Sequence, residues 1–157
     1  MTIRPVAALG RRSARAILID GDARLVLIKR TKPERAPYWT TPGGGIEDHD
    51  ASAEATLHRE LAEELGAEAD RVSQVFLVSS LSGEGLSVQH FFVARLTKVD
   101  VAARSGPEFG DPARGTYEID RISLRGDDLE EVDLKPESLK EFILANREAL
   151  LAEVVPG

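Results

Sequence analysis

The chain has 157 residues, of which 42% are hydrophobic and 30% charged, and this length predicts one domain spanning 1–157 with its own hydrophobic core. It contains no cysteine, which excludes disulfides, thiolate metal ligands and a cysteine nucleophile. The 27 acidic and 20 basic side chains give a net charge of −7, which disfavours binding to a nucleic-acid polymer and favours a small phosphorylated partner at a site neutralised by cations.

The first predicted elements are two strands that form a hairpin. Arg12–Asp20 and Ala23–Arg30 are rich in aliphatic and β-branched residues, and Gly21-Asp22 between them is typical of a tight turn. A short strand at Tyr38–Thr41 follows, and Pro42 with the three glycines after it should end that strand.

The central segment predicts an amphipathic helix from Ala51 to Leu65. Its leucines recur four residues apart and form one apolar stripe, made by Leu57, Leu61 and Leu65. Gly66 is a natural helix terminator, and the carboxylate of Asp50 could cap the first turn.

The second half of the chain predicts another hairpin and a final helix. Arg71–Ser80 and Leu86–Val99 have strand character, and Thr116–Leu124 predicts a further strand. The segment 102–115 between them is either a lid over a site or a plain surface loop. Pro136 can open a helix that ends near Val154.

Three carboxylates on the central helix carry the functional signal. Glu60, Glu63 and Glu64 are spaced i, i+3 and i+4, so they project from nearly one face and repel one another. Divalent cations would remove that repulsion, and carboxylate oxygens suit Mg²⁺ or Mn²⁺. Arg59 lies one turn before Glu63 and can orient it.

The glycine run ahead of the helix fits the same site. In Pro42-Gly43-Gly44-Gly45 the backbone can turn tightly and approach a phosphate or a metal where a Cβ would obstruct it. A plain turn would be the simpler interpretation if this run stood alone, but the acidic helix follows within ten residues.

The residues from Gly43 to Ala67 resemble the Nudix box. Its second half, Arg-Glu-aliphatic-any-Glu-Glu-any-Gly-aliphatic, is matched by Arg59–Ala67 except for the small final residue. Counting back from Arg59 places Ala51 at the position of the first box glutamate. We take the adjacent Asp50 as its counterpart, with one residue inserted at the start of the helix.

This resemblance implies an α/β fold, an α/β/α sandwich around a mixed sheet, and a metal-dependent hydrolase that cleaves a diphosphate linkage in a nucleotide-like small molecule. It implies that metal-activated water attacks phosphorus, with the ions held by Glu60, Glu63 and Glu64 near Asp50, Glu47 and the carbonyls of Gly44 or Gly45. Members of the family are often homodimers.

Further residues are weaker site candidates. Glu63 is our first choice for the base, with Glu108 and Glu118 as alternatives, and Gly43, Gly44, Trp39 and Glu108 are the predicted substrate contacts. Trp39 could equally be packed at the core. Arg11, Arg12 and Arg15 could meet phosphates, although an exposed basic first strand is the simpler account, and the same caution covers Lys29 and Arg30. His49, His58 and His90 share no metal-ligand spacing, so we expect structural or exposed roles.

Two rival functions remain. The first rival function is a non-catalytic nucleotide sensor on the same fold, because fold does not determine function. An isomerase of isoprenyl diphosphates is the other, and the lack of cysteine removes the thiol that such enzymes use. No apolar run approaches the ~20 residues that span a bilayer and the N-terminus has no secretory pattern, so we expect a cytoplasmic protein without a membrane partner.

Overall fold

The computed structural model describes residues 9–82, 85–100, 102 and 116–154. In these ranges the chain forms a mixed sheet and three α-helices. The strands are β1 (Leu9–Ile19), β2 (Arg24–Thr31), β3 (Tyr38–Thr40), β4 (Gly43–Gly45), β5 (Ala67–Ser82), β6 (Gly85–Val99), β7 (Thr116–Ser123) and β8 (Leu134–Lys135). The helices are α1 (Ala53–Leu65), α2 (Glu137–Ala145) and α3 (Arg147–Val154), with a short 3-10 helix at Asp128–Glu131.

The sheet is organised around β1. The strand order is β5-β6-β1-β2-β3-β8, with β4 paired to β1 and β7 paired to β2. β1 runs parallel to β6 and antiparallel to β2 and β4. Both predicted hairpins are confirmed, since β1 and β2 pair as Leu18↔Val26 and β5 and β6 pair from Ala67↔Val99 to Ser82↔Gly85. The strand predicted at Thr116 is confirmed as β7.

Helices cover both faces of this sheet, which confirms the predicted α/β/α sandwich of the Nudix fold. The helix α1 packs on β1, β4 and β5, while α2 and α3 pack on the opposite face. Two apolar clusters fill the two interfaces. The cluster under α1 contains Ala14, Ala16, Leu18, Val26, Ile28, Leu57, Leu61, Leu65, Ala67, Phe92 and Ala94. The cluster under α2 and α3 contains Ile17, Ile19, Leu25, Leu27, Phe91, Val93 and residues of the C-terminal part.

Three local predictions were wrong. Gly43–Gly45 do not merely end a strand; they form β4, pairing with Ser13–Arg15 of β1. The N-cap of α1 is Ser52, whose side-chain oxygen accepts the Ala55 N–H at 3.0 Å, because the carboxylate of Asp50 is engaged elsewhere. The single C-terminal helix is two helices, separated at Asn146.

The break at Asn146 has a local cause. Its side-chain amide donates to the carbonyl of Phe142 at 2.8 Å, and its backbone N–H donates to Ile143 in a tighter turn. Asn side chains compete in this way with the regular helix ladder. Within the described ranges, none of the helices combines the length and the apolar character that crossing a bilayer requires.

Candidate functional site

A cleft of about 610 Å³ opens between β1, β4 and the polar side of α1. Charged side chains dominate its wall, with five arginines and four glutamates. The lining residues are Gly10, Arg11, Arg12, Arg15, Arg30, Gly43, Gly44, Gly45, Ile46, Glu47, His49, Arg59, Glu60, Glu63 and Glu64. The structure therefore brings together most of the residues predicted for the site, although they come from four separate segments.

The helix α1 positions its carboxylates because its other side is anchored. Leu57, Leu61 and Leu65 are fully buried in the cluster beneath the helix, as the leucine stripe predicted. Gly66 ends the helix in the left-handed conformation with φ +63°, which glycine adopts without strain. The acidic cluster, defined as Glu60, Glu63 and Glu64, consequently faces β4 and the cleft.

The members of the acidic cluster differ in exposure. Glu64 is 4% exposed, Glu60 16% and Glu63 38%. The backbone N–H of Gly43 donates to Glu64 Oε1 at 3.1 Å, which fixes the most buried carboxylate against the glycine strand. Glu63 is the member most accessible to a molecule in the cleft.

Two glycines of β4 are required by close contacts. A Cβ at Gly43 would lie 2.2 Å from the carbonyl oxygen of Ala14, and its φ of +144° also disfavours other residues. A Cβ at Gly44 would lie 2.4 Å from the carboxyl carbon of Glu60. The lack of side chains thus lets the backbone of β4 and the carboxylate of Glu60 share one small space.

Arg59 joins the acidic helix to the loop before it. Its Nε and Nη2 donate to the two oxygens of Asp50 at 3.0 and 2.9 Å, and Nη2 also contacts the Gly45 carbonyl at 3.2 Å. Its Nη1 lies 3.0 Å from Glu60 Oε1 and 3.3 Å from Glu63 Oε2. The guanidinium therefore offsets part of the repulsion within the acidic cluster and limits where its carboxylates can point.

The carboxylate of Asp50 accepts hydrogen bonds from several groups of the protein. Besides Arg59 it accepts the hydroxyl of Thr56 at 2.8 Å and the backbone N–H of Glu47 at 2.9 Å. The hydrogen bonds from Arg59 hold the pKa of Asp50 well below its ordinary value, and those to Asp50 raise the pKa of Arg59. These contacts favour a positioning role for Asp50 over the metal-ligand role predicted from the sequence.

The same cleft contains an arginine wall, defined as Arg11, Arg12, Arg15 and Arg30. Arg15 Nη1 donates to the Thr41 carbonyl at 3.0 Å, and burial lowers its pKa although Glu64 nearby acts to raise it. Arg30 Nε donates to Thr40 Oγ1 at 2.8 Å, and its guanidinium stacks 4.6 Å from the ring centre of Tyr117. The simpler interpretation of the sequence was an exposed basic strand, whereas the structure places these four arginines in the wall of one cleft.

Other predicted residues lie elsewhere. Trp39 is outside the cleft wall, packs against the cluster beneath α2 and α3, and donates through Nε1 to Asp120 Oδ2 at 2.9 Å. Its predicted substrate contact is therefore not supported, and the packing alternative fits its position. Glu118 is exposed on β7 in register with Lys29, also away from the cleft wall. Glu108 lies outside the described residues.

The histidines do not form a metal site. His49 is exposed at the cleft rim with Nδ1 3.3 Å from Glu47 Oε2, and His58 lies on the exposed side of α1 near Glu54. His90 Nε2 is 3.1 Å from Arg12 Nη2, and burial followed by the charge of Arg12 lowers the pKa of this histidine. The partner of Arg12 at this contact is thus an imidazole and not a carboxylate.

The acidic cluster has suitable chemistry for a hard divalent cation. All of its donors are carboxylate oxygens, and the space beside Gly44 is one that a Cβ would fill. Across the ranges that the structure covers, no three Asp, Glu, His or Cys side chains already converge as a metal centre; Arg59 lies between Glu60 and Glu63 instead. The residue types fit Mg²⁺ or Mn²⁺.

Comparisons with known proteins agree with this description. A family model described as NUDIX domain matches residues 9–137. The chain is similar to a MutT NUDIX hydrolase from Burkholderia pseudomallei, at 26% identity and TM-score 0.55 over 75% of this chain and 84% of that one. No curated protein matches the sequence.

Two further solved structures share the fold at lower identity. A NUDIX hydrolase from Nitrosomonas europaea has 14% identity and TM-score 0.66, over 93% of this chain and 92% of that one. The NUDIX domain of Shewanella oneidensis NrtR, complexed with ADP ribose, has 22% identity and TM-score 0.63, over 88% and 87%.

Proposed function

This chain belongs to the NUDIX domain family, and we propose that it hydrolyses a diphosphate linkage in a nucleoside triphosphate or a nucleoside diphosphate derivative. The observation that carries the proposal is one cleft that is lined by an acidic cluster, a glycine strand and an arginine wall. Carboxylates suit divalent cations, and guanidinium groups suit phosphates.

Glu60, Glu63 and Glu64 would hold Mg²⁺ or Mn²⁺ beside the backbone of Gly44. When bound, such a cation lowers the pKa of water and offsets negative charge on phosphate oxygens. Divalent metals are typical of the family, and the oxygen-only donor set supports this choice.

The residues of the chain then have distinct roles. The Gly43 N–H and burial keep the Glu64 carboxylate in one place, and Arg59 restricts Glu60 and Glu63. Glu63 is the most exposed of the three, so we assign its carboxylate as the base that accepts the proton of the attacking water. Asp50 holds the guanidinium of Arg59 and acts through it.

The arginine wall would bind the phosphates that face the acidic cluster. Catalysis would then consist mainly of positioning and of charge stabilisation, with water as the nucleophile and a phosphate group as the leaving group. The bridging P–O bond breaks as the water oxygen bonds to phosphorus, and the proton passes to Glu63.

The proposal is tested with Glu64→Gln, which keeps the size of the side chain and removes its charge. Loss of several kcal/mol of charge stabilisation should lower kcat by roughly 10²–10³-fold. The matched control is Glu141→Gln, an exposed position on α2 at the opposite face of the sheet, which should keep full activity. Unchanged turnover in Glu64→Gln, or in wild type treated with a chelator, would overturn the metal assignment.

A binding module without turnover is the second candidate. The NUDIX domain of Shewanella oneidensis NrtR, which shares this fold, is complexed with ADP ribose. Calorimetric titration separates the two functions, because a sensor would bind a nucleotide with no product formed over hours with Mg²⁺ or Mn²⁺. Turnover of any substrate in a panel of triphosphates, nucleotide sugars, dinucleoside polyphosphates, ADP-ribose and capped RNA favours the enzyme.

A further inference from the structure

The edge strand β5 and its neighbour β6 contain a long stretch without charged residues. Residues 72–82 of β5 and residues 85–94 of β6 include no Asp, Glu, Lys, Arg or Pro, in a chain of which 30% is charged. We call these two segments the uncharged ribbon. β5 is the first strand in the sheet order, and among the described residues no strand pairs with its outer edge. The uncharged ribbon therefore has one open side.

Exposed apolar side chains are concentrated on the same two strands. Within the described part of the chain, the large hydrophobic residues left exposed are Leu77, Leu81 and Val99, at 48%, 72% and 37%. The first two belong to the uncharged ribbon, where Leu81 pairs with Leu86 of β6. Residues that pair across two strands share one face of the sheet, as do alternate residues along a strand. Leu77, Leu81 and Leu86 therefore form one apolar surface at the open edge.

This apolar surface lies on the face of the sheet that α2 does not cover. The ring of Phe76 stacks on the ring of Phe142 in α2, with 4.4 Å between the centroids. Side chains alternate along a strand, so Leu77 and Leu81 point to the opposite face. Their exposure shows that α1, the helix on that face, leaves both of them largely uncovered. A molecule bound at the edge of β5 would bury them.

The backbone of β5 is also available for pairing. An open strand edge presents N–H and C=O groups to which another strand can bond, and natural edge strands are usually protected by charged side chains, proline or bulges. The register of β5 is irregular between Gln74 and Phe76, but it is regular from Phe76 to Ser82. This regular part has neither charge nor proline, so its edge is open to a further strand.

A second copy of this chain fits the open edge in charge and in symmetry. Each copy carries a net charge of −7, so two copies repel each other least where they meet through uncharged segments. Two identical strands that pair antiparallel are related by a two-fold axis, and each then covers the edge of the other. An acidic or a basic partner protein would find no complementary charge on the uncharged ribbon.

We propose that two copies of this chain associate through antiparallel pairing of their β5 edges, centred on Ser79. This centre uses the regular part of β5 and places Leu77 of each copy opposite Leu81 of the other, on one face of the joined sheets. Seven paired residues span about 24 Å, which is a small interface and predicts a dimer that dissociates at micromolar concentrations. The inference does not depend on the proposed hydrolysis.

The experiment measures the mass of the full chain by sedimentation equilibrium from about 1 to 200 μM. We expect wild type to pass from monomer to dimer, and we expect Leu77→Lys to raise the Kd at least tenfold because it buries a charge at two symmetric places. Leu81→Lys should act alike. Thr116→Lys adds the same charge at an exposed position of β7, away from the uncharged ribbon, and should keep the wild-type Kd.

Two further measurements on wild type locate the interface. Amide hydrogen exchange at high and low protein concentration should differ mainly in the β5 segment from Phe76 to Ser82, because pairing protects N–H groups at its outer edge. Added salt should leave the Kd unchanged or lower it, since it screens the repulsion between two chains of charge −7.

Other results would overturn the inference. A wild-type chain that is monomeric at 200 μM forms no such dimer, and a dimer that persists in Leu77→Lys and Leu81→Lys uses another surface. A dimer that weakens as salt is added is held by charges, and a polymer that grows with concentration lacks the two-fold axis. All of these measurements are made without substrate, so none of these outcomes bears on the proposed hydrolysis.

Discussion

The two faces of the sheet differ in the size of the side chains beneath their helices. Facing α2 and α3 the strands present large residues, among them Ile17, Ile19, Leu25, Leu27 and Phe91. Facing α1 they present small ones in several central places, namely Ala14, Ala16 and Ala94. Small residues let a helix lie close to a sheet, and the face under α1 is the one that carries the cleft.

That closeness explains the contacts at the site. The carboxylate of Glu60 occupies the space beside Gly44, and Glu64 accepts the N–H of Gly43, so helix and strand are close to each other here. On the other face the large side chains fill the interface, and the described cleft does not extend there. One face therefore serves mainly to position charged groups, and the other mainly to stabilise the fold.

The strongest test of this comparison is Gly44→Ala. The new Cβ would meet the end of the Glu60 side chain at 2.4 Å and displace it, and a shift of about 1 Å at such a site costs about 100-fold in kcat. Stability should change by less than about 1 kcal/mol, because a flexible side chain can move aside. Gly21→Ala is the matched control, since its Cβ would meet nothing within 4 Å. Full activity in Gly44→Ala would show that this close approach has no function.

Asp50→Asn should have the next largest effect. The variant keeps the shape of Asp50 and weakens its hold on Arg59, so kcat should fall about 10–30-fold, as for other groups that orient a metal ligand. Metal affinity measured by calorimetry should fall less in this variant than in Glu64→Gln if Asp50 only positions Arg59. Equal losses of affinity would restore Asp50 as a ligand.

The pH dependence of the Asp50→Asn effect follows from its pKa. Because the folded pKa is below the unfolded value, the carboxylate contributes stability that is complete above about pH 5 and is lost as the pH falls through the folded pKa. Urea unfolding should therefore give a constant difference between wild type and variant from pH 7 to about 5, and a smaller one below about pH 4. A difference that grows on acidification would contradict the ion pair.

A pair of leucine truncations gives the smallest difference in activity. Leu61→Ala in α1 and Leu139→Ala in α2 remove equivalent, fully buried side chains, and each should cost about 2–5 kcal/mol in the free energy of unfolding. Per folded molecule, kcat should fall about tenfold in Leu61→Ala and stay as in wild type in Leu139→Ala. Equal activity in the two variants would mean that the position of α1 tolerates repacking.

Local patterns predicted α1 well and its surroundings less well. The leucine stripe, the glutamate spacing and Gly66 are encoded within one helix, so the element and its buried side could be inferred from the residues alone. The N-cap of α1 could not be inferred in this way, because Asp50 and Ser52 are both good capping residues. The choice between them depends on where Arg59 lies, since Arg59 binds the carboxylate of Asp50. Asn146 likewise breaks a helix whose apolar spacing continues past it.

The sequence by itself determined three things: the family resemblance, the carboxylates suited to a metal on one helix face, and the two antiparallel hairpins. Each of these depends on residues that are near one another in the chain. Only the tertiary structure decided that β1 runs parallel to β6, that Gly43–Gly45 form a strand, and that Arg11, Arg12, Arg15 and Arg30 line one cleft with the acidic cluster. These arrangements join segments far apart in the chain, and the packing of the whole sheet selects among their alternatives.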